Sequence, residues 1–189
     1  MTDRDLVRAI VDCFEGHAYT NHPADAGGPT KFGVTQKLLA SFLGRHVTAD
    51  EVRHMGIDLA VDVLHSEFCF KPKLYEITNP LVKLCAVDFS VNSGAARGVR
   101  SLQYAVFQKP PYDGVFGPLT KSAVNRAAPD QVRRDMLAYR IKFIGRLITR
   151  KPSQAVFAEG WMKRIAALQE LEPGQNVLTD LRELLNRAA

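Results

Sequence analysis

The chain is poor in sulfur chemistry and in ligand-binding signatures. Its three cysteines, Cys13, Cys69 and Cys85, stand singly in apolar stretches. That excludes a disulfide framework and a paired Cys-x-x-Cys metal motif, and predicts buried thiols in a reducing compartment. No His-Glu-x-x-His occurs, and neither His22 nor His65 has a second His or Cys at metal-ligand spacing, which disfavours a zinc amidase. A phosphate-binding Gly-rich loop, a Gly-x-Ser-x-Gly elbow and a Cys–His dyad are equally missing. No apolar run reaches the roughly eighteen residues of a membrane span. The opening Met1-Thr-Asp-Arg-Asp-Leu-Val-Arg8 places charges where a signal peptide needs an apolar stretch. The expectation is synthesis in the cytoplasm without a signal peptide, and no metal or organic cofactor.

What is present is the balance of a globular protein: 189 residues, 46% apolar and 24% charged. This length allows one compact domain, or two small lobes that share a core. The net charge of +5 is uneven, with residues 1–96 at net −3 and residues 97–189 at net +8. The second half therefore seeks anions. Nucleic acid, acidic lipid and anionic wall polymers all fit, because a basic field reports the sign of a partner and not its identity.

Leu6, Val7, Ile10, Val11 and Phe14 recur at helical spacing over residues 2–15, with Thr2 as N-cap and Asp3 and Asp5 in the first turn. Between His17 and Thr35 the periodicity vanishes and Asn, Pro, Asp and Gly crowd together, which predicts a shaped loop with a short hairpin. Thr48 and Glu51 form a capping-box signature, and Asp58 precedes a helix carrying Leu59, Val63 and Phe70 that Pro72 stops. Asn79-Pro80 opens a helix to Ser93, closed by Gly94, and further helices are expected over 96–107, 117–127, 129–149, 153–171 and 176–187. The reading is mainly α, with any sheet confined to the glycine-rich loop.

Glu15 stands at the end of the opening helix, where exposed carbonyls concentrate negative partial charge, and four residues after Val11 on the apolar stripe. Both effects penalise its ionised form, which is how a carboxylic acid is kept protonated for general acid work. Ten residues on comes Asp25, then Gly27, Gly28 and Thr30, so the backbone can turn tightly and aim both side chains back at the helix end. Glycoside hydrolysis needs such a pair: one group protonates the leaving oxygen, and a second carboxylate steadies the oxocarbenium-like centre or activates a water. The same residues also suit a frayed helix end and ordinary turn chemistry.

The run Glu15-Gly-His-Ala-Tyr19-Thr-Asn-His-Pro-Ala-Asp25-Ala-Gly-Gly-Pro-Thr30-Lys-Phe-Gly-Val-Thr35 resembles the signature of glycoside hydrolase family 108, the N-acetylmuramidases of phage endolysins and related bacterial secretion enzymes. That family opens on Glu-Gly-Gly-Tyr and continues through Asp-x-Gly-Gly and Gly-Val-Thr; here one residue more separates Glu15 from Tyr19. The resemblance implies a lysozyme-like helical fold, Glu15 as catalytic acid, Asp25 and Thr30 as its helpers, and Tyr19 in the cleft. Val87-Asp88-Phe-Ser-Val-Asn92-Ser-Gly94 is similar to the family's helix end, with Asp88 and Asn92 on one face. Asn92 suits either a substrate contact or the fixing of neighbouring loops.

Leu102-Gln103-Tyr104 followed by Tyr112-Asp113-Gly-Val-Phe-Gly-Pro-Leu-Thr120 resembles the helical peptidoglycan-binding domain that accompanies this hydrolase, as do Tyr139-Arg140 and Phe157-Ala-Glu-Gly-Trp161. Tyr112, Asp113 and Trp161 are candidate substrate contacts, and Trp161 suits a core position equally well. The implied organisation is a muramidase region over 1–94, a peptidoglycan-binding region over 95–172 packed against it, and an extension over 173–189. The implied partner is peptidoglycan, reached through a holin or another export route, with action on the wall after release. The rival readings are a wall-binding module without activity, a lytic transglycosylase and a nucleic-acid binder, the last without a recognised motif.

Overall fold

The computed structural model describes residues 1–21, 28–172 and 177–187. Helix α1 (Asp3–Ile10) starts on the expected cap: Thr2 and Asp5 exchange side-chain and backbone hydrogen bonds in a full capping box. Its last turn widens into a π turn over Val11–Glu15, which ends at Gly16 with φ +70°.

A two-stranded antiparallel hairpin follows, β1 (Thr30–Lys31) and β2 (Val34–Thr35), in the register Thr30 with Thr35 and Lys31 with Val34. Phe32 and Gly33, at φ 53° and 74°, make a tight turn of the primed type that suits hairpin twist. A bulky residue at positive φ is strained, and burial of the Phe32 ring at 7% exposure holds it there.

Helix α2 (Gln36–Leu43), capped by Thr35, has no counterpart among the helices read from sequence; its consecutive apolar residues Leu38, Leu39 and Ala40 draw no clear stripe, and of its side chains only Leu39 is fully buried. Helices α3 (Ala49–His54) and α4 (Ile57–His65) come next, α3 with the Thr48–Glu51 capping box and α4 prolonged by a π turn to Phe70.

The central element is α5 (Pro80–Ser93), whose start is fixed by Asn79 Oδ1 accepting from the amides of Leu81 and Val82. Buried residues line every side of it, as expected for a helix enclosed by others. It packs against α1, against α6 (Ala95–Phe107) and against α8 (Pro129–Arg150). The α5–α6 crossing is close because Gly98 lacks a side chain: a Cβ there would meet Ser90 Oγ at 2.0 Å and the Ala86 carbonyl at 2.7 Å.

Helix α7 (Pro118–Arg126) lies between α6 and α8, and α9 (Ala158–Glu170) and α10 (Val177–Arg187) close the order. The helix expected over 153–171 is shorter than that, since Pro152–Phe157 form a 3₁₀ stretch before α9 begins. The α10 helix packs on α1 and α9, so the chain end returns to its start. The architecture is a mainly α, lysozyme-like fold with, among the described residues, one small hairpin. Among the described residues no helix is long and apolar enough to cross a membrane.

Candidate active site

Glu15 ends the π turn of the opening helix, its side chain 16% exposed, against the hairpin. The turn residue Gly33 is what lets it sit there. A Cβ on Gly33 would stand 2.8 Å from Glu15 Oε2 and 2.9 Å from its Cγ, so the carboxylate fills the space a side chain would take. The hairpin turn at Gly33 thus reaches back to the helix end.

The electrostatics differ from the sequence expectation. Only helix carbonyls and apolar neighbours were foreseeable around Glu15, but Arg164 of α9 brings Nη2 to 2.8 Å from Oε1. A guanidinium attracts a carboxylate, so the environment is not one-sided against charge. The approach is a charge contact more than an aligned hydrogen bond, because neither Oε1 nor Nη2 has a hydrogen-bond partner of good geometry. The Arg164 guanidinium also lies 4.5 Å over the ring of Phe14.

Arg164 belongs to a buried row of alternating charge. Its Nε donates to Asp88 Oδ1 at 2.6 Å; Arg140 Nη1 binds the other oxygen of Asp88, and Arg140 Nη2 donates to Asn92 Oδ1 at 3.1 Å. Asp88 and Arg140 are 0% and 1% exposed, so each charge depends on the next for solvation. Burial pulls the Arg164 guanidinium down, but Asp88 and then Glu15 outweigh it and the group ends raised. Burial pushes the Asp88 carboxyl up, and Arg164 and then Arg140 pull it below the ordinary carboxylate range. Asp88 and Asn92 thus tie α5 to neighbouring helices instead of loops, Asp88 to α8 and α9 and Asn92 to α8.

The other sequence-derived residues fall in several places. Asp25 lies outside the described residues. Thr30 sits in β1, its hydroxyl donating to the Gly28 carbonyl at 2.9 Å and its backbone paired with Thr20. Tyr19 packs on the core edge under the Arg53 guanidinium, 4.7 Å from its ring centroid. Asp113 Oδ1 accepts from Gln103 Nε2 at 2.6 Å and from the Val115 amide at 2.8 Å, bonds that hold its carboxyl below the usual range and shape its loop. Trp161 packs at the core edge with its ring 5.9 Å from that of Phe157. Tyr112 is half-buried beside Tyr104, away from the buried row, in a cleft between α6 and α8.

No role at Glu15 was expected of Arg164, Arg140 or Gly33 from sequence, although Arg140 stands in the Tyr139-Arg140 segment. Gly33 carried a signal in the Gly-Val-Thr motif, while the two arginines sit on helices that look like any basic amphipathic helix. One group of ligand-type side chains also converges, against the expectation that His65 has no such partner: Cys69 stands four residues on, and Asp3, His65 and Cys69 bring their donor atoms within 4.8 Å of one another. Asp3 Oδ1 already accepts from Lys83 Nζ at 2.6 Å, and burial pushes the Cys69 thiol up to about 12. A resident ammonium and a neutral thiol suit a hydrogen-bonded core cluster better than a cation site.

Two family models match the chain. Residues 9–94 match the family described as glycosyl hydrolase 108, and residues 97–166 match the predicted peptidoglycan domain. Among solved structures, the chain is similar to SagA of Brucella abortus at 28% identity, covering 86% of this chain and 87% of that one with a TM-score of 0.72. No curated protein matches. Glu15 comes from the first matched segment and Arg164 from the second, so the two matched segments meet at this ion pair, and the chain carries a glycosyl hydrolase 108 domain over residues 9–94, that of a glycosidase acting on peptidoglycan, followed by a peptidoglycan-binding domain over 97–166.

Proposed function

We propose that the protein is an N-acetylmuramidase, hydrolysing the bond between N-acetylmuramic acid and N-acetylglucosamine with Glu15 as general acid. The observation that supports this is the seat of Glu15: largely withdrawn from solvent, pressed against the Gly33 turn and steadied at one oxygen by Arg164. With Oε1 facing the guanidinium, Oε2 is the oxygen on the hairpin side and the one to carry the proton to the glycosidic oxygen. Once the proton has gone, Arg164 stabilises the carboxylate left behind, and the leaving group departs neutral.

The second carboxylate that glycoside hydrolysis requires is assigned to Asp25. Asp88 is unsuited to that role because it is fully buried and bound by two arginines. Thr30 has spent its proton on the Gly28 carbonyl, so its oxygen accepts only, which suits it to orient a water. Digestion of purified sacculi followed by mass spectrometry of the fragments tests the reading. Reducing N-acetylmuramic acid ends are expected, and Glu15→Gln lowers their release by about 10²–10⁴-fold, the usual worth of a general acid. Near-normal lysis by the folded variant refutes the role of Glu15, and anhydro ends identify a lytic transglycosylase.

A further inference from the structure

Away from Glu15, the second half of the molecule holds a cleft of about 800 Å³ between α6, the 108–117 connection and α8. That volume lies within the roughly 300–1,000 Å³ of ligand pockets. Its walls are aromatic: Tyr104 stands 6.0 Å from Tyr112 and 5.3 Å from Tyr139 between ring centroids, and Phe143 completes the floor. Its rim is cationic: Arg97, Lys142, Arg146, Arg150 and Lys151 line it, and no Asp or Glu does.

Lys142, Arg146 and Arg150 recur every four residues, so they form one row along α8, and a shallower depression of about 380 Å³ adjoins the same row. Like charges at this spacing repel one another and destabilise a helix. Among the described residues no carboxylate forms an ion pair with any of the three. Lys142 instead donates to the Tyr104 hydroxyl at 2.7 Å, and the Arg97 guanidinium lies 5.1 Å over the Phe143 ring, which holds the cations at the aromatic walls. A charge row that costs stability and lacks an internal partner is built for an external anion.

We propose that this cleft is a second wall-binding site, which takes a peptide-bearing disaccharide of peptidoglycan: the sugar against the tyrosine faces and the carboxylates of the stem peptide on the Lys142–Arg146–Arg150 row. The pairing of rings with uncompensated cations is what selects such a ligand, since a neutral glycan would leave the row unanswered. The inference rests on the reading of the chain as a peptidoglycan hydrolase. The floor residues Tyr139 and Phe143 pack edge-on against Phe89, whose neighbour Asp88 holds Arg164, so a strand anchored here is held by the same rigid core that carries Glu15.

The test is titration of a labelled disaccharide-tetrapeptide, which lacks the bond the muramidase cuts, so binding is read independently of hydrolysis. Reversal of exposed charges by Arg146→Glu with Arg150→Glu is expected to weaken binding at least tenfold and to leave helicity intact. Binding within twofold of the unaltered protein overturns the proposal. The disaccharide without its peptide is expected to bind at least tenfold more weakly, and equal binding overturns carboxylate recognition. A single-stranded oligonucleotide that displaces the muropeptide at lower concentration overturns it in favour of nucleic acid. Acetylation of the unaltered protein gives a readout free of variants: Lys142 and Lys151 should be protected by the muropeptide while Lys37 is not, and no difference between them overturns the site.

Discussion

Replacing Arg164 with Met tests the buried charge row most directly, because the two side chains are similar in length while the charge and its hydrogen bond to Asp88 are lost. Asp88 would keep Arg140 and lose its other partner at 2.6 Å. Breaking one side of a buried ion pair costs about 3–5 kcal/mol, and the remaining arginine puts Arg164→Met near the lower end, about 3 kcal/mol at neutral pH. The pH dependence carries the sharper prediction. In the unaltered protein the Asp88 carboxyl lies below its ordinary value, so its contribution is present above the unfolded value, about 3.9, and is lost as pH falls through the lower folded value. In Arg164→Met the strongest opposing charge is gone and burial remains, so the penalty of ionising Asp88 grows as pH rises above about 3.9. The stability loss should therefore be larger at about pH 7 than at about pH 4. Urea denaturation followed by circular dichroism at both values measures it, with both proteins also carrying Glu15→Gln so that Asp88 is the carboxylate responding. A loss that does not change with pH, or one below about 1 kcal/mol as for an exposed pair, refutes the account.

Gly33→Ala should cut activity more than stability: the new Cβ meets Glu15 Oε2 at 2.8 Å, and alanine at φ +74° costs about 1–2 kcal/mol, so fragment release should fall at least tenfold in a variant that still unfolds cooperatively. Equal activity would show that Glu15 does not need its seat on the turn. Burial pushes the Cys69 and Cys85 thiols up to about 12, so neither should react with a thiol reagent near about pH 8 until the chain is unfolded; alkaline destabilisation should begin above the free thiol value, about 8.5. Rapid labelling of either in the folded protein contradicts their burial. Gln103→Ala removes the side chain that bonds Asp113, the Val115 carbonyl and the Gly114 amide, and should cost about 1–3 kcal/mol in urea denaturation while weakening muropeptide binding through the displaced Tyr112 loop. A change in neither would show that the loop is held by other contacts.

Much of the chain was legible before folding because its signals are local. Thr2, Thr48 and Asn79 cap helices within three residues of themselves, and the Asn, Pro and Gly crowding after Glu15 breaks periodicity whatever the rest of the chain does. Glu15 could be found at a helix end, and the turn that receives it could be expected from its glycines. Helix α2 escaped because its apolar residues run consecutively, and the 3₁₀ stretch at Pro152–Phe157 escaped because its composition is that of a helix start.

Sequence alone therefore determined most of the helices, the caps at Thr2, Thr48 and Asn79, the position of the acid at the end of the first helix and the basic character of the second half, since each depends on neighbours a few bonds away. Tertiary structure decided what surrounds the acid: Arg164 lies 149 positions from Glu15, and only the packing of α9 against the opening helix brings their charges to 2.8 Å. It also decided that Lys142, Arg146 and Arg150 border tyrosines instead of carboxylates. Coulomb attraction and burial depend on distance through space, and a chain that has not yet folded does not fix those distances.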